Sequence, residues 1–242
     1  MHDEGGADEH GGLVPHAELL EFVKPQLAEQ GVELNVKVFT DYVQPNIQVA
    51  EKRLDANFFQ HQPYLDEFNK GKGTNLVSVA GVHIEPFGAY SSKVKSLDEL
   101  ANGATVVIPN DATNGGRALL LLAKAGVITL KDGAGITATP KDISENPKNI
   151  KIRELEAATL PRVLTQVDLA LINTNYAIAS GLSPKEDSIA MESADNPYVN
   201  VIVVQEGKED APWVKTLLEA YHSDEIKAFI DESYHGTVIT SW

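Results

Sequence analysis

The amino-acid sequence predicts an α/β protein, on three observations. Strand-like and helix-like segments alternate along most of the chain, and no internal repeat of fixed period replaces that alternation. The 242 residues, 43% hydrophobic and 23% charged, suffice for one sizeable domain or two lobes. The alternating order argues for largely parallel sheets.

Residues 1–12 are acidic and glycine-rich, with Met1 and Ala7 as their apolar side chains, and read as a flexible leader. The folded part begins near Leu13. A helix is expected from His16 to about Gln30, because Leu20, Val23, Leu27 and Ala28 recur at helical spacing, and Gly31 ends it. A strand over 34–39, a short helix after Pro45, a loop-rich stretch over 57–64, a helix over 64–69 and an alternating strand over 75–83 follow. The second half repeats the alternation with a strand over 105–109, a helix over 114–125, a strand over 151–156, a helix over 160–167 and a strand over 169–173. Residues 198–204 read as a buried strand. Two amphipathic helices close the chain, one with Val214, Leu217, Leu218 and Tyr221 on a single face, the other with Ile226, Phe229 and Ile230.

Composition excludes several classes of function. Twenty Lys+Arg against 35 Asp+Glu leave a formal charge of −15, which argues against nucleic acid as a partner. The absence of cysteine removes disulfides, thiolate metal sites, a cysteine nucleophile and a cysteine-linked lipid. The longest apolar candidate, residues 118–123, falls far short of the roughly 18 residues that a membrane span needs. The N-terminus lacks the basic and apolar regions of a signal peptide. With no nucleophile elbow, metal motif or dinucleotide fingerprint, no cofactor, metal or catalytic residue is expected.

Three groups of residues carry candidate chemistry. The first is a strand, a polar turn and an apolar helix over 107–122. Its Asn114-Gly-Gly-Arg117 would offer free backbone N–H groups, the positive end of a helix dipole and a guanidinium to an anion such as a carboxylate. The same pattern also fits an ordinary capped helix with a surface arginine. The second is Asn57-Phe-Phe-Gln-His-Gln-Pro-Tyr64, where Phe58, Phe59, His61 and Tyr64 would wall a pocket for an apolar or thioether side chain, or equally belong to the core. His61 as a general base lacks any nucleophile motif beside it. The third is a pair of strand-end amides, Asn173 and Asn200, able to donate to and accept from a zwitterion, or to serve as turn and cap residues.

Seven motifs together resemble the MetQ/NlpA family of methionine-binding lipoproteins. They are Asp41-Tyr-Val-x-Pro-Asn46, Asp55-Ala-Asn-x-Phe-Gln-His-x-Pro-Tyr-Leu65, Tyr90-Ser-x-Lys-x-Lys-Ser-Leu-Asp-Glu-Leu100, Pro109-Asn-Asp-x-Thr-Asn-x-Gly-Arg117, Glu145-Asn-Pro-Lys-Asn149, Ile172-Asn-Thr-x-Tyr-Ala177 and Pro197-Tyr-Val-Asn200. The likeness runs in order from about Val14 to Trp242. It implies a two-lobed substrate-binding protein of the periplasmic-binding type, type II-like, which holds methionine between its lobes and delivers it to the membrane and ATPase subunits of an ABC importer. On that pattern, lobe one covers 13–84 plus 203–242 and lobe two 85–202. Tyr42, Phe59, His61 and Tyr64 would enclose the thioether, Arg117 would clamp the carboxylate, and Asn114, Asn173 and Asn200 would bond the polar end. The function implied is binding, not catalysis, at the periplasmic face or cell surface.

The sequence departs from the family at its start. Members carry a strand ahead of the segment matched by Val14-Pro-His-Ala-Glu-Leu19, after a lipid-modified cysteine. Residues 5–12 take that place here without strand character, so the usual first strand is expected to be absent and a sheet edge exposed. A binding protein for another amino acid or small peptide, and a truncated paralogue that binds nothing, are the alternatives.

Overall fold

A computed structural model describes residues 2–3 and 15–242. The chain forms two compact units, Met1–Glu85 with Ala194–Trp242, and Pro86–Ser193. The strand that the expected boundary at 203 would have cut thus belongs wholly to the first unit.

The chain opens with β1 (His2–Asp3), which pairs in parallel with β2 (Asn35–Val36). This corrects the expectation of an absent first strand: parallel pairing consumes backbone groups only, so the want of β-branched side chains does not prevent it. The rest of the expected leader lies outside the described residues. Between them runs α1 (Pro15–Glu29), whose buried Leu20, Val23 and Leu27 follow the predicted spacing. Gly31 adopts φ +79° past its end, where Val32 N–H donates to Leu27 O and Gly31 N–H to Ala28 O, the paired bonds of a left-handed helix stop. Then come α2 (Gln44–Ala50), β3 (Ala56–His61), α3 (Gln62–Lys72) and β4 (Leu76–Ile84).

Residues 57–64 are therefore not a loop. Every residue of β3 is buried, and its polar members are satisfied inside. Asn46 of α2 holds two of them: Asn57 Nδ2 donates to Asn46 Oδ1 at 2.9 Å, and Asn46 Nδ2 donates to Gln60 Oε1 at 2.8 Å. A strand that buries both faces loses the polar alternation by which a strand is recognised.

The second unit contains β5 (Gly88–Tyr90), β6 (Thr105–Pro109), α4 (Ala112–Lys124), β7 (Thr129–Leu130), β8 (Ile143–Glu145), β9 (Lys151–Leu155), β10 (Leu169–Ile172), α5 (Thr174–Ala179), α6 (Pro184–Asp187) and β11 (Ser188–Met191). Its main sheet has the order β11-β5-β10-β6-β9, with β6 parallel to both β10 and β9 and β5 antiparallel to its neighbours. Period-two alternation divides the sheet between two cores. Val106, Ile108, Leu169 and Leu171 pack with Leu119 and Leu122 of α4, while Val107, Ala170 and Ile172 pack on the other face with Leu160 and Ala177. Where a helix is expected over 160–167, residues 157–166 form 3₁₀ turns around Pro161, which has no N–H to give an α-helical ladder.

The chain returns to the first unit with β12 (Val199–Gln205), α7 (Pro212–Tyr221), α8 (Asp224–Tyr234) and β13 (Ile239–Thr240). The sheet there has the order β13-β4-β12-β3, and every neighbouring pair in it is antiparallel. The expectation of largely parallel sheets thus fails for this unit. The segment β3–α3–β4 is the parallel crossover that local alternation predicts, but β12, more than a hundred residues later, inserts between its two strands. Both closing helices bury the predicted faces, with Leu217, Tyr221, Ile226 and Ile230 packing with Leu20, Val23 and Phe58 in one core.

Candidate functional site

In the first unit, the end of β3 and the start of α3 gather the aromatic residues. His61 caps α3: its Nδ1 accepts the Tyr64 backbone N–H at 3.1 Å, and Pro63 fits the first turn, which has no partner for its nitrogen. This fixes the histidine tautomer. With the Nδ1 lone pair engaged, the ring proton sits on Nε2, so His61 is a donor and not a general base. Tyr64 O–H donates to the Tyr42 carbonyl at 2.5 Å. The rings of Tyr42, Phe59 and Tyr64 form a triangle with centroids 5.9–6.0 Å apart, and His61 stands 6.3 Å from Tyr64 and 4.9 Å from Tyr198. Phe59, His61 and Tyr64 are buried. Such spacings are those of offset and edge-on aromatic contacts.

Asn200 joins this group through the sheet. It lies near the start of β12 rather than at a strand's carboxyl end, yet antiparallel pairing sets it opposite His61 and His83, at the ends of β3 and β4. Behind it is a polar cluster that the sequence reading missed. His16 Nε2 donates to Asn200 Oδ1 at 2.8 Å and stands 3.3 Å from Glu85 Oε2, and His83 Nε2 donates to the same Glu85 oxygen at 2.9 Å. Among the described residues, these two imidazoles and one carboxyl are the set whose donor atoms, all within 4.8 Å of one another, suit a metal ion. The three residues already engage each other. His16 occupies the buried face of α1, four residues before Leu20, and that polar intruder in an apolar stripe was the available signal.

Burial holds the His16 pKa below its ordinary 6.5, and His83 pushes the same way; Glu85 and the Asn200 bond oppose both. The unfolded chain therefore protonates at His16 before the folded chain does. The stability contributed by the neutral ring is complete above pH 6.5 and is lost as pH falls through the lower folded value. The melting temperature of the wild type is expected to fall more steeply from about pH 7 to about pH 5 than that of His16→Gln, which keeps a donor for Asn200 and does not titrate. Parallel slopes in thermal melts of the two proteins would contradict this account.

In the second unit, Asp111 precedes α4 and caps it. Its carboxylate accepts from Asn114 N–H at 2.9 Å, Asn114 Nδ2 at 3.1 Å and Thr113 Oγ1 at 3.2 Å. Burial pushes the Asp111 carboxyl above its usual range, against those hydrogen bonds, which pull it down. Of the backbone N–H groups in this turn, that of Asn114 is engaged by the Asp111 carboxylate. A resident carboxylate already occupies the positive end of the helix. The two glycines serve packing instead: a Cβ on Gly115 would stand 2.9 Å from Pro109 O, and one on Gly116 only 2.0 Å from Ile136 O.

Arg117 is no surface arginine. It is 4% exposed, and its Nε and Nη2 donate to Glu192 Oε2 and Oε1 at 2.9 and 2.5 Å, a forked ion pair. Glu192 also accepts the Phe87 N–H at 3.2 Å, and the Phe87 ring lies 5.1 Å from the guanidinium carbon. Glu192 thus sets the plane of the guanidinium with two of its five donors. Asn173, between β10 and α5, donates from Nδ2 to Asn114 Oδ1 at 3.2 Å. Within each unit the predicted residues cluster: Tyr42, Phe59, His61, Tyr64 and Asn200 in the first, Asn114 and Asn173 in the second with Arg117 on the same helix. Asn175, buried in the first turn of α5, adds an amide that the sequence reading left out, as it did Glu192 and Phe87.

Residues 12–242 match the family model of the NlpA lipoprotein. Among curated relatives, a D-methionine-binding lipoprotein MetQ of Salmonella typhimurium is 49% identical over 214 residues, 88% of this chain and 79% of the relative. The methionine-binding lipoprotein MetQ of Bacillus subtilis is 43% identical over 230 residues, 93% and 84% of the two chains. Among solved structures, a nutrient-binding protein from Burkholderia cenocepacia bound to methionine superposes with a TM-score of 0.94 at 47% identity, covering all of both chains.

Proposed function

Because the chain belongs to the NlpA lipoprotein family, we propose that it captures methionine and delivers it to the membrane and ATPase subunits of an ABC importer. The observation that carries the reading is the triangle of Tyr42, Phe59 and Tyr64, with the His61 ring beside Tyr64. Aromatic faces suit a polarisable thioether chain, to which sulfur–aromatic contacts add about 0.3–1.5 kcal/mol each. Arg117 takes the ligand carboxylate, and Asn114, Asn173 and Asn200 bond the polar end. The two units act as the two lobes, and ligand favours the closed arrangement by its higher affinity for it.

The reading is of binding rather than catalysis, since His61 has spent its basic nitrogen on the helix cap. It sets the protein at the periplasmic face or cell surface, where members of the family are lipoproteins. No helix among the described residues is long and apolar enough to cross a membrane.

Calorimetric titration of protein stripped of ligand by unfolding and refolding tests the proposal. L-methionine or D-methionine is expected to bind at roughly micromolar or tighter, and other amino acids far more weakly. A folded protein that gives no heat with either enantiomer, or binds another amino acid more tightly, would refute it.

A further inference from the structure

Asn173 is a buried amide whose Oδ1 has no hydrogen-bond partner among the described residues, although its Nδ2 is engaged. An orphaned acceptor in so buried a side chain is uncommon and asks for a reason.

The orientation of that amide follows from a chain of forced choices that starts at Asp111. A carboxylate only accepts, so the group of Asn114 that meets Asp111 Oδ1 has to be Nδ2. Asn114 Oδ1 then faces away, towards Asn173. An oxygen there requires a donor, so Asn173 turns its own Nδ2 inward and leaves Oδ1 outward. Neither amide can flip without setting two donors or two acceptors against each other. The three links lie on two elements, the first turn of α4 and the residue that follows β10, both anchored in the same unit.

We propose that Asp111 is a positioning residue that fixes Asn173 as a hydrogen-bond acceptor, and that this acceptor takes an N–H of the protonated α-amino group of the ligand. The proposal depends on the reading of Asn173 as a ligand residue given above. Methionine satisfies Oδ1, whereas the analogue without the amino group, 4-(methylthio)butanoate, leaves it as it is in the free protein. The same carboxylate that caps α4 thereby sets selectivity for amino acids over the corresponding simple acids.

Asp111→Asn makes the test, because asparagine caps a helix as well as aspartate does and changes little in shape. Its Oδ1 keeps the bond from Asn114 N–H, which brings Nδ2 against the Asn114 side chain. Asn114 turns over, Asn173 turns over in response, and a donor replaces the acceptor that faced the ammonium. The affinity ratio of methionine to 4-(methylthio)butanoate is expected to fall by roughly tenfold or more. A second variant, Asp111→Ser, also caps a helix but is too short to meet Asn114 Nδ2, so it releases both amides and the ratio is expected to fall as well.

Titration of both ligands into the wild type and both variants separates the outcomes. An Asp111→Asn protein that weakens the two ligands equally, leaving the ratio within about threefold, reduces Asp111 to a helix cap and overturns the proposal. Should Asp111→Asn not fold, Asp111→Ser decides: a fallen ratio supports the relay, and a ratio within about threefold of the wild-type value overturns it. Absence of methionine binding in the wild type would instead overturn the functional reading on which the relay depends.

Discussion

Alanine in place of Arg117 is expected to weaken methionine binding by far more than tenfold. A ligand carboxylate brought into a buried site without its counter-charge loses the pairing that offsets its desolvation, and truncating one member of such a pair costs about 2–5 kcal/mol, roughly thirtyfold to several thousandfold in affinity. The geometry adds a second consequence. Arg117 also neutralises Glu192, whose side chain is 13% exposed, so the variant strands a nearly buried carboxylate and loses stability as well as affinity. Combining Arg117→Ala with Glu192→Gln removes the stranded charge.

The double variant is therefore expected to melt higher than Arg117→Ala while binding no better. Arg117→Lys is expected to fail also, because an ammonium cannot reproduce the two parallel bonds to Glu192 and a third to ligand. Thermal melts and methionine titrations on the three variants check both halves. A loss of less than tenfold in folded Arg117→Ala would remove the arginine from the ligand site.

What could be read from sequence, and what could not, follows the range of each interaction. The faces of α1, α7 and α8 were legible because helical periodicity is local. So was the strand–turn–helix around Arg117, in outline. The role of the turn was not, because Asp111 reads equally as a loop residue and as a cap, and only its bonds to Asn114 distinguish them. Glu192 lies 75 residues from Arg117, and His16 lies 184 from Asn200. No pattern in one sequence links partners so separated, yet these pairings decide which side-chain atoms remain for a ligand. The antiparallel sheet of the first unit was missed for the same reason, since β12 enters a crossover completed long before it in the chain. The ligand residues themselves were proposed from the family resemblance; their local clustering within each unit is what the structure adds.

Gly116→Ala is expected to be the most damaging single methyl group that can be added to the second unit. In an open helix interior, alanine for glycine gains about 1 kcal/mol. Here the new Cβ would sit 2.0 Å from Ile136 O, 2.7 Å from Ile136 C and 3.0 Å from Ala138 N, all backbone atoms that no rotamer change can move. Ala138 N–H is tied to Gly135 O, and Ala138 packs in the same core as Leu119 and Leu122, so the segment cannot retreat without opening that core. Shifting α4 instead would draw Leu119 and Leu122 away from Val106 and Ile108. Either response is overpacking of the costly kind, about 3 kcal/mol or more, which lowers the melting temperature of a chain this size by roughly 5–12 °C. Gly115→Ala, with one close contact at 2.9 Å to Pro109 O, is expected to cost less, and Gly71→Ala, with no atom within 4 Å, to cost nothing. Because Gly116 immediately precedes Arg117, a displaced turn also misdirects the guanidinium, so methionine affinity of the folded fraction falls along with stability. Melts that rank the three variants otherwise, or a Gly116→Ala protein as stable as the wild type, would mean that the 131–139 segment yields freely and that this backbone contact does not hold Arg117 in place.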